Sequence, residues 1–115
     1  MRWNAFEYKK AWDTLYQSCD PETRETADRR LDFVKDHGNG SRPPITKHLD
    51  DGIFELRAKD ARFLFYFPGL KNFVFVHGLI KKRGNVPPED IKLARKRRAE
   101  IRALKVDLDA IANQI

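Results

Sequence analysis

Three short apolar runs between residues 53 and 80 limit the fold more than any other feature of this sequence. Residues 53–59 alternate in chemistry, which is the period of a strand with one buried face. Residues 63–67 and 73–80 are two further strand-like runs, and residues 68–72 between them have the composition of a hairpin loop. Because these connections are too short for parallel crossovers, the three runs predict an antiparallel meander.

Two amphipathic helices are expected ahead of this meander. Apolar and aromatic residues at positions 8, 11, 12, 15 and 16 recur at three- and four-residue spacing, giving one helical face that ends near residue 19. Asp20 then has the features of an N-cap, with Pro21 at the first helical position, and the glycines of residues 37–40 end this second helix. Residues 3–6 are expected to form a first strand or the lead-in to a helix.

A long basic helix is expected at the carboxyl end, because Pro87, Pro88 and two acidic residues mark a helix start near residue 88 and the pattern continues to about residue 113. Helices followed by a run of strands predict an α+β fold. We expect a small antiparallel sheet packed against two N-terminal helices, with helices over one face and the basic helix at the C terminus. At 115 residues, the chain is expected to be a single domain over residues 1–115.

The positive charge of the chain is concentrated in its second half. The first 60 residues hold 11 Lys and Arg against 12 Asp and Glu, whereas the remaining residues hold 12 against 5. A basic surface attracts polyanions and releases counterions from phosphates, so the partner is expected to be a nucleic acid or an acidic protein.

Other features of the sequence favour a cytoplasmic protein with no cofactor, metal or membrane partner. Cys19 is the only cysteine, and the three histidines are scattered, so neither a disulfide nor a zinc cluster is predicted. The longest apolar runs are too short to span a bilayer, and the amino terminus lacks the apolar stretch of a signal peptide.

Basic residues are predicted to meet at one end of the sheet. The period of two places Glu55, Arg57 and Lys59 on one face of their strand, and Arg62 returns to the same region after a short turn. Residues 81–83 end the last strand, and antiparallel pairing brings this basic end close to Arg62. Arg57, Lys59, Arg62 and Lys82 can therefore converge and stabilise charge on a phosphodiester. The alternative is that these residues are solvated charges of edges and turns.

Some other residues permit two interpretations. His77 can act as a proton donor or acceptor, or it can simply pack on the sheet. Asp50 and Asp51 can form a carboxylate pair, but a hairpin turn is the favoured interpretation. The alternating phenylalanines of residues 63–75 are expected to be core residues rather than platforms for stacked bases.

The order and spacing of four segments carry a resemblance to a known family. They are Gly-Ile-Phe-Glu-Leu-Arg at 52–57, Arg-Phe-Leu-Phe-Tyr at 62–66, Phe-Val-His-Gly-Leu-Ile-Lys-Lys at 75–82 and Pro-Pro-Glu at 87–89. Together with the Ala- and Arg-rich helix that follows, they resemble the RelE toxin superfamily. The nearest branch is the phage-derived, HigB-like toxins of type II toxin–antitoxin systems. The resemblance covers residues 45–98 well and the first two helices loosely.

This resemblance implies an endoribonuclease that enters the ribosomal A site and cleaves mRNA without a metal, through attack of the RNA 2′-hydroxyl on the neighbouring phosphate. It implies catalytic roles for Arg57, Lys59, Arg62 and Lys82, with Lys81 as the alternative to Lys82 if the register slips by one residue. It further implies a helix-turn-helix antitoxin as partner and a toxin–antitoxin hetero-oligomer. The tyrosine that RelE uses after the last strand is absent, since residues 83–87 are Arg-Gly-Asn-Val-Pro.

The C-terminal helix is expected to bind ribosomal RNA phosphates. The residues expected to contact RNA are Lys81, Arg83, Arg95, Arg97, Arg98 and Arg102. The apolar seam of the helix, from Ala94 to Ile115, is expected to pack on the sheet of the same chain, the alternatives being an antitoxin or a second copy.

Two other functions stay open at this point. One is a ParE-like gyrase poison, a class whose members generally lack the basic catalytic set. The other is a non-catalytic, phage-derived regulator that binds nucleic acid through the basic helix.

Overall fold

The computed structural model describes residues 2–115 as three helices and one six-stranded sheet. The strands are β1 (Asn4–Glu7), β2 (Thr46–Asp50), β3 (Ile53–Ala58), β4 (Ala61–Gly69), β5 (Asn72–Ile80) and β6 (Asn113–Gln114). The helices are α1 (Ala11–Ser18), α2 (Pro21–His37) and α3 (Pro88–Leu104). The strand order is β2-β3-β4-β5-β1-β6, and the predicted α+β class is confirmed. None of the helices described in residues 2–115 is long and apolar enough to cross a membrane.

The antiparallel meander is confirmed and extends from β2 to β5. The sheet as a whole is mixed, because β1 lies parallel to β5, with Asn4 opposite Asn72 and Glu7 opposite Phe75. Short hairpins impose antiparallel pairing only on consecutive strands. Since β1 is followed by two helices instead of a hairpin, its direction is free of that constraint.

Helices α1 and α2 cover one face of the sheet, where the phenylalanines of β4 and β5 are buried. The side chains of Trp12 and Leu15 point into this layer, and the ring of Trp12 stacks on Phe63 at a centroid distance of 4.1 Å. Phe65, Phe73 and their neighbours are essentially inaccessible to solvent. The expectation that these aromatics form the core is therefore confirmed.

Helix α2 begins and ends where the sequence predicts. The Asp20 carboxylate accepts a hydrogen bond from the backbone N–H of Thr23 at 2.7 Å, and Pro21 occupies the first turn. Gly38 follows the helix with φ 53°, and a Cβ at this position would lie 1.9 Å from the ring of Trp3. Only glycine fits both this backbone conformation and this close approach.

Helix α3 packs on the opposite face of the sheet, so the expectation of helices over one face is wrong. Ala94 and Ile101 are buried there against Leu64, Val74 and Val76. The reason lies in β4 and β5, whose central residues are apolar on both faces. Such strands require a covering layer on each side.

Helix α3 ends at Leu104, about nine residues before the predicted end. Lys105 adopts a left-handed conformation with φ 51°, and residues 106–109 are β-branched or acidic at three of four positions, which disfavours helix. The chain then forms a short 3-10 turn at Leu108–Ala110 and ends in β6, which pairs with β1. The apolar seam packs on the chain's own sheet at Ala94 and Ile101, as expected, whereas Leu104 is half exposed.

Candidate active site

Two arginines face each other at one end of the sheet. Arg57 of β3 is the direct antiparallel partner of Arg62 of β4, and directly opposite residues share a face, here the face that α3 covers further along. Between them lies the carboxylate of Glu55, which is 3% exposed. Glu55 forms an ion pair with Arg57, and the Nε of Arg62 lies 3.8 Å from its Oε2.

The buried carboxylate makes this arrangement of cations possible. Like charges directly opposite on a sheet repel, and Glu55 compensates both guanidinium groups at once. One net positive charge remains, on side chains that are 33% (Arg57) and 15% (Arg62) exposed. Guanidinium groups held in fixed positions present planar pairs of N–H donors, the geometry that binds phosphate oxygens.

Helix α2, on the opposite face of the sheet, also supports this site. The Nη1 of Arg30, in α2, donates a hydrogen bond to the backbone carbonyl of Arg57 at 2.8 Å. Burial lowers the pKa of Arg30, and the neighbouring charges of Arg29, Arg57 and Arg62 act in the same direction. The carbonyl contact fixes the backbone from which Arg57 projects.

Lys59 does not join the two arginines. Strand β3 ends at Ala58, and Lys59 lies in the turn with φ 53°, where the alternation of faces no longer applies. Its Nζ lies 2.6 Å from Oε1 of Glu22, in the first turn of α2. The predicted convergence of Lys59 with Arg57 and Arg62 is therefore not made in the structure.

His77 lies on the same face as Arg62 because of a β-bulge. The β4–β5 register shifts by one residue at Val76, which places His77 opposite Leu64 and facing α3. As a diagonal neighbour, its Cα is about 7 to 8 Å from that of Arg62. Its Nε2 lies 2.7 Å from Oδ1 of Asp90, at the start of α3, and both side chains are largely buried. Bulges of this kind re-aim side chains next to active sites.

The basic residues that follow β5 lie next to the turn between β3 and β4. The backbone N–H of Lys81 donates to the carbonyl of Asp60 at 2.7 Å, so pairing continues one residue beyond the strand. The side chain of Lys81 therefore lies on the same face of the sheet as that of Leu79, the partner of Arg62. Lys82 and Arg83 are exposed in the loop that follows.

Two charged residues near this site were not predicted to belong to it. Lys47 of β2 is exposed and directly opposite Glu55, so it lies on the same face as the arginines. Asp90 was predicted only as a helix-start residue, whereas it is bonded to His77. The sequence of residues 46–50, Thr-Lys-His-Leu-Asp, does not alternate between apolar and polar residues, so no strand signal could have found the first of these. Within residues 2–115, no group of three His, Cys, Asp or Glu side chains is arranged to hold a metal ion.

Two arginines of α3 hold the β2–β3 turn. Arg95 Nη1 lies 3.0 Å from Oδ2 of Asp50, and Arg98 Nη2 lies 2.7 Å from Oδ2 of Asp51. Arg98 also donates to the backbone carbonyl of Asp51, and its side chain is 7% exposed. The favoured interpretation of Asp50 and Asp51 as turn residues is confirmed. The structure corrects the expectation that Arg98 contacts RNA, because its guanidinium is buried and already bound.

The other two arginines expected to bind RNA also contact the sheet. Arg97 Nη1 donates to the backbone carbonyl of Val76 at 2.8 Å. The guanidinium of Arg102 lies over the ring of Tyr66 at 5.7 Å from its centroid. Arg97 is half-buried and Arg102 is exposed, so each retains surface that a phosphate could reach. The four arginines of α3 nevertheless all contact the sheet or the β2–β3 turn of the same chain.

Comparison with known proteins gives one positive finding. Residues 16–99, more than half of the chain, match the family model described as phage-derived protein Gp49-like (DUF891). A search of the curated proteins finds no match. The matched segment contains α2, β2 to β5 and most of α3, so it includes every residue of the candidate site described above except Arg102.

Proposed function

This chain belongs to the Gp49-like family, a phage-derived, toxin–antitoxin-associated family related to RelE-like toxins, and we propose that it is a toxin that cleaves mRNA on the ribosome. The observation that carries the proposal is the pair formed by Arg57 and Arg62 around the buried carboxylate of Glu55. Arg62 already donates from Nη1 to the backbone carbonyls of Lys59 and Ala61, so its Nη2 and the more exposed Arg57 supply the donors that a phosphodiester can approach at this end of the sheet. The HigB-like branch within the superfamily stays a prediction.

The proposed reaction needs a charge-stabilising site and proton transfer. The RNA 2′-hydroxyl gives its proton to solvent water and its oxygen attacks the adjacent phosphorus, while the bond from phosphorus to the 5′-oxygen breaks and that oxygen takes a proton from the protein. The products are a 2′,3′-cyclic phosphate and a 5′-hydroxyl. Arg57 and Arg62 donate to the non-bridging oxygens, whose negative charge grows as the five-coordinate state forms.

His77 is the proposed proton donor to the 5′-oxygen. Asp90 holds the imidazole ring in position through its 2.7 Å contact. Lys81, with Lys82 and Arg83 in the exposed loop, is proposed to position the RNA backbone, because phosphate contacts fix register without reading sequence. Lys59 has no place in this scheme, since it is bonded to Glu22.

The proposed partners follow from the proposed activity, mRNA cleavage by a toxin on the ribosome. The ribosomal A site with its mRNA is the substrate environment, and a helix-turn-helix antitoxin is the proposed neutralising partner in a hetero-oligomer. The proposed location is the cytoplasm, where both partners occur. Exposed cations near the site, among them Lys47 and Lys82, are available for ribosomal phosphates.

The proposal is tested by inducing the chain in cells and mapping the 5′ ends of mRNA. Codon-phased cuts are expected, and Arg62→Ala should reduce them about 100- to 1,000-fold, the usual effect of losing one charge-stabilising donor. Arg29→Ala is the matched control, because Arg29 is exposed on α2 and forms an ion pair with Glu25, away from the site. Undiminished cutting by a folded Arg62→Ala protein contradicts the site. DNA breaks linked to gyrase, without mRNA cuts, support the ParE-like alternative instead.

A further inference from the structure

One edge of β5 is left without a strand partner. Strand β1 pairs with β5 only as far as Phe75, whereas β5 continues to Ile80. Within residues 2–115, no strand pairs with residues 76–80 on the side where β1 lies. Lys9 and Lys10, both left-handed with φ near 53°, turn the chain away from β5 and into α1. The free edge is therefore created by a specific turn in the backbone.

A side chain already bonds to the edge where the partner strand ends. Arg97 donates from Nη1 to the carbonyl of Val76 at 2.8 Å, at the first position beyond the β1 pairing. Backbone groups further along this edge have no strand opposite them. Unpaired strand edges are templates for the addition of an extended peptide, whose backbone continues the hydrogen-bond ladder.

The edge opens into a cleft of about 400 Å³ between α1 and α3. Ala11 and Leu15 give the α1 side an apolar wall, and the cations Lys9, Lys10 and Arg97 line the rest of the rim. Among residues 2–115, Lys9 pairs with Glu100 at 3.4 Å, and neither Lys10 nor Arg97 forms an ion pair. The far end of the edge leads directly into the basic residues 81–83. Positive charge thus lies at the rim of the cleft and just beyond the far end of the edge.

We propose that the edge formed by residues 76–80 binds an extended, acidic segment of a partner protein as an additional strand. The alternating side chains of such a strand would place apolar groups against α1 and carboxylates against the cations. A second copy of this chain is a poor occupant, because each copy carries a net charge of +6. RNA is disfavoured because it has no backbone with regularly spaced N–H and C=O groups to match the edge.

This inference is independent of the RNA-cleavage proposal, since binding at the edge requires neither RNA nor a ribosome. Binding at this edge would nevertheless affect RNA cleavage. A strand at residues 76–80 runs beside His77 and ends at the basic loop, so it restricts access to the candidate active site. In a toxin–antitoxin pair, the antitoxin is the natural source of the segment.

The test uses the full chain and a six-residue probe peptide of alternating glutamate and valine, with blocked ends. Amide hydrogen exchange is measured by NMR without peptide and with about 1 mM peptide, which detects a weak affinity. Slower exchange is expected at the amides of Gly78 and Ile80, because those of His77 and Leu79 point toward β4, as that of Lys81 does. A version of the peptide with methylated backbone nitrogens keeps every side chain but cannot donate, and its affinity should fall roughly tenfold or more for two lost hydrogen bonds.

Charge variants provide the second arm of the test. Lys9→Glu with Lys10→Glu should weaken peptide binding by roughly fivefold, and added salt should reduce the difference. Lys71→Glu is the control, because Lys71 is an exposed cation at the opposite end of β5. Absent protection at Gly78 and Ile80, or equal affinity of the methylated peptide, overturns the proposal. So does a hexanucleotide RNA that protects the same amides and displaces the peptide. A protein that binds peptide in this way but cuts no mRNA refutes only the proposed function.

Discussion

Replacing Glu55 by glutamine tests most directly whether the pair of Arg57 and Arg62 depends on the buried carboxylate. The change Glu55→Gln keeps size and one acceptor oxygen but removes the charge that compensates Arg57 and Arg62. Removing one partner of a buried ion pair typically destabilises a protein by about 3 to 5 kcal/mol. Arg57 is one-third exposed and can turn toward water, so we expect a loss of about 2 to 3 kcal/mol in the free energy of unfolding.

This loss is measurable by thermal and urea denaturation. For a chain of this length, about 4 °C in Tm corresponds to 1 kcal/mol, so Tm should fall by about 8 to 12 °C. Added inorganic phosphate should raise the Tm of Glu55→Gln more than that of the native protein, because two uncompensated guanidinium groups bind an anion better than a compensated pair.

The matched control is Glu25→Gln, which removes the partner of Arg29 in an exposed pair on α2. Exposed helix pairs contribute about 0.3 to 0.5 kcal/mol, so this variant should unfold close to the native temperature. A Glu55→Gln protein with the Tm of the control would refute the reasoning, because it would show that the two arginines do not depend on the buried carboxylate.

Three further predictions concern the surrounding fold. Gly78→Ala should lower stability by about 1 to 3 kcal/mol in urea denaturation, because its Cβ would lie 2.9 to 3.0 Å from side-chain atoms of Leu15. Tyr66→Phe should leave Tm unchanged or raise it, because the buried Tyr66 hydroxyl has no hydrogen-bond partner in the described part of the chain. The backbone N–H of Thr23 lowers the pKa of Asp20, so its contribution to stability is present above the unfolded pKa of about 3.9 and disappears as pH falls through the folded pKa. Asp20→Asn should accordingly flatten the acid limb of a Tm-against-pH curve.

The parts of the fold that follow from local chemistry were predictable from the sequence. The Asp20–Pro21 start of α2 depends on capping groups that are adjacent in the chain. The pairing of Arg57 with Arg62 follows from the two-residue turn between β3 and β4, since a tight turn fixes the register of its strands. For the same reason the central pair of the candidate site was found from spacing alone.

Other features depend on contacts between distant segments and were missed. The bulge at Val76 shifts the alternation of side chains by one residue, so His77 faces α3 instead of the phenylalanine layer. No residue type at this position signals the bulge. Lys59 was placed with Arg57 by extending the alternation into a turn, where a positive φ redirects the side chain. Strand β2 was not predicted because its Thr-Lys-His-Leu-Asp sequence is half exposed at the edge of the sheet.

The distribution of charge in α3 changes how the basic half of the chain should be understood. An excess of arginine in one helix suggests a surface for polyanions, yet Arg95 and Arg98 bind the two aspartates of the β2–β3 turn, and Arg97 binds the edge of β5. Arginine suits this use because its planar group can bond several acceptors while its stem packs on apolar surface. Lys92, Lys96 and Arg102 stay exposed on α3, so the helix keeps part of its cationic surface, and Arg57 and Arg62 add a second cationic region at the end of the sheet. Substitutions of Arg95, Arg97 and Arg98 are accordingly expected to affect folding first and RNA contact second.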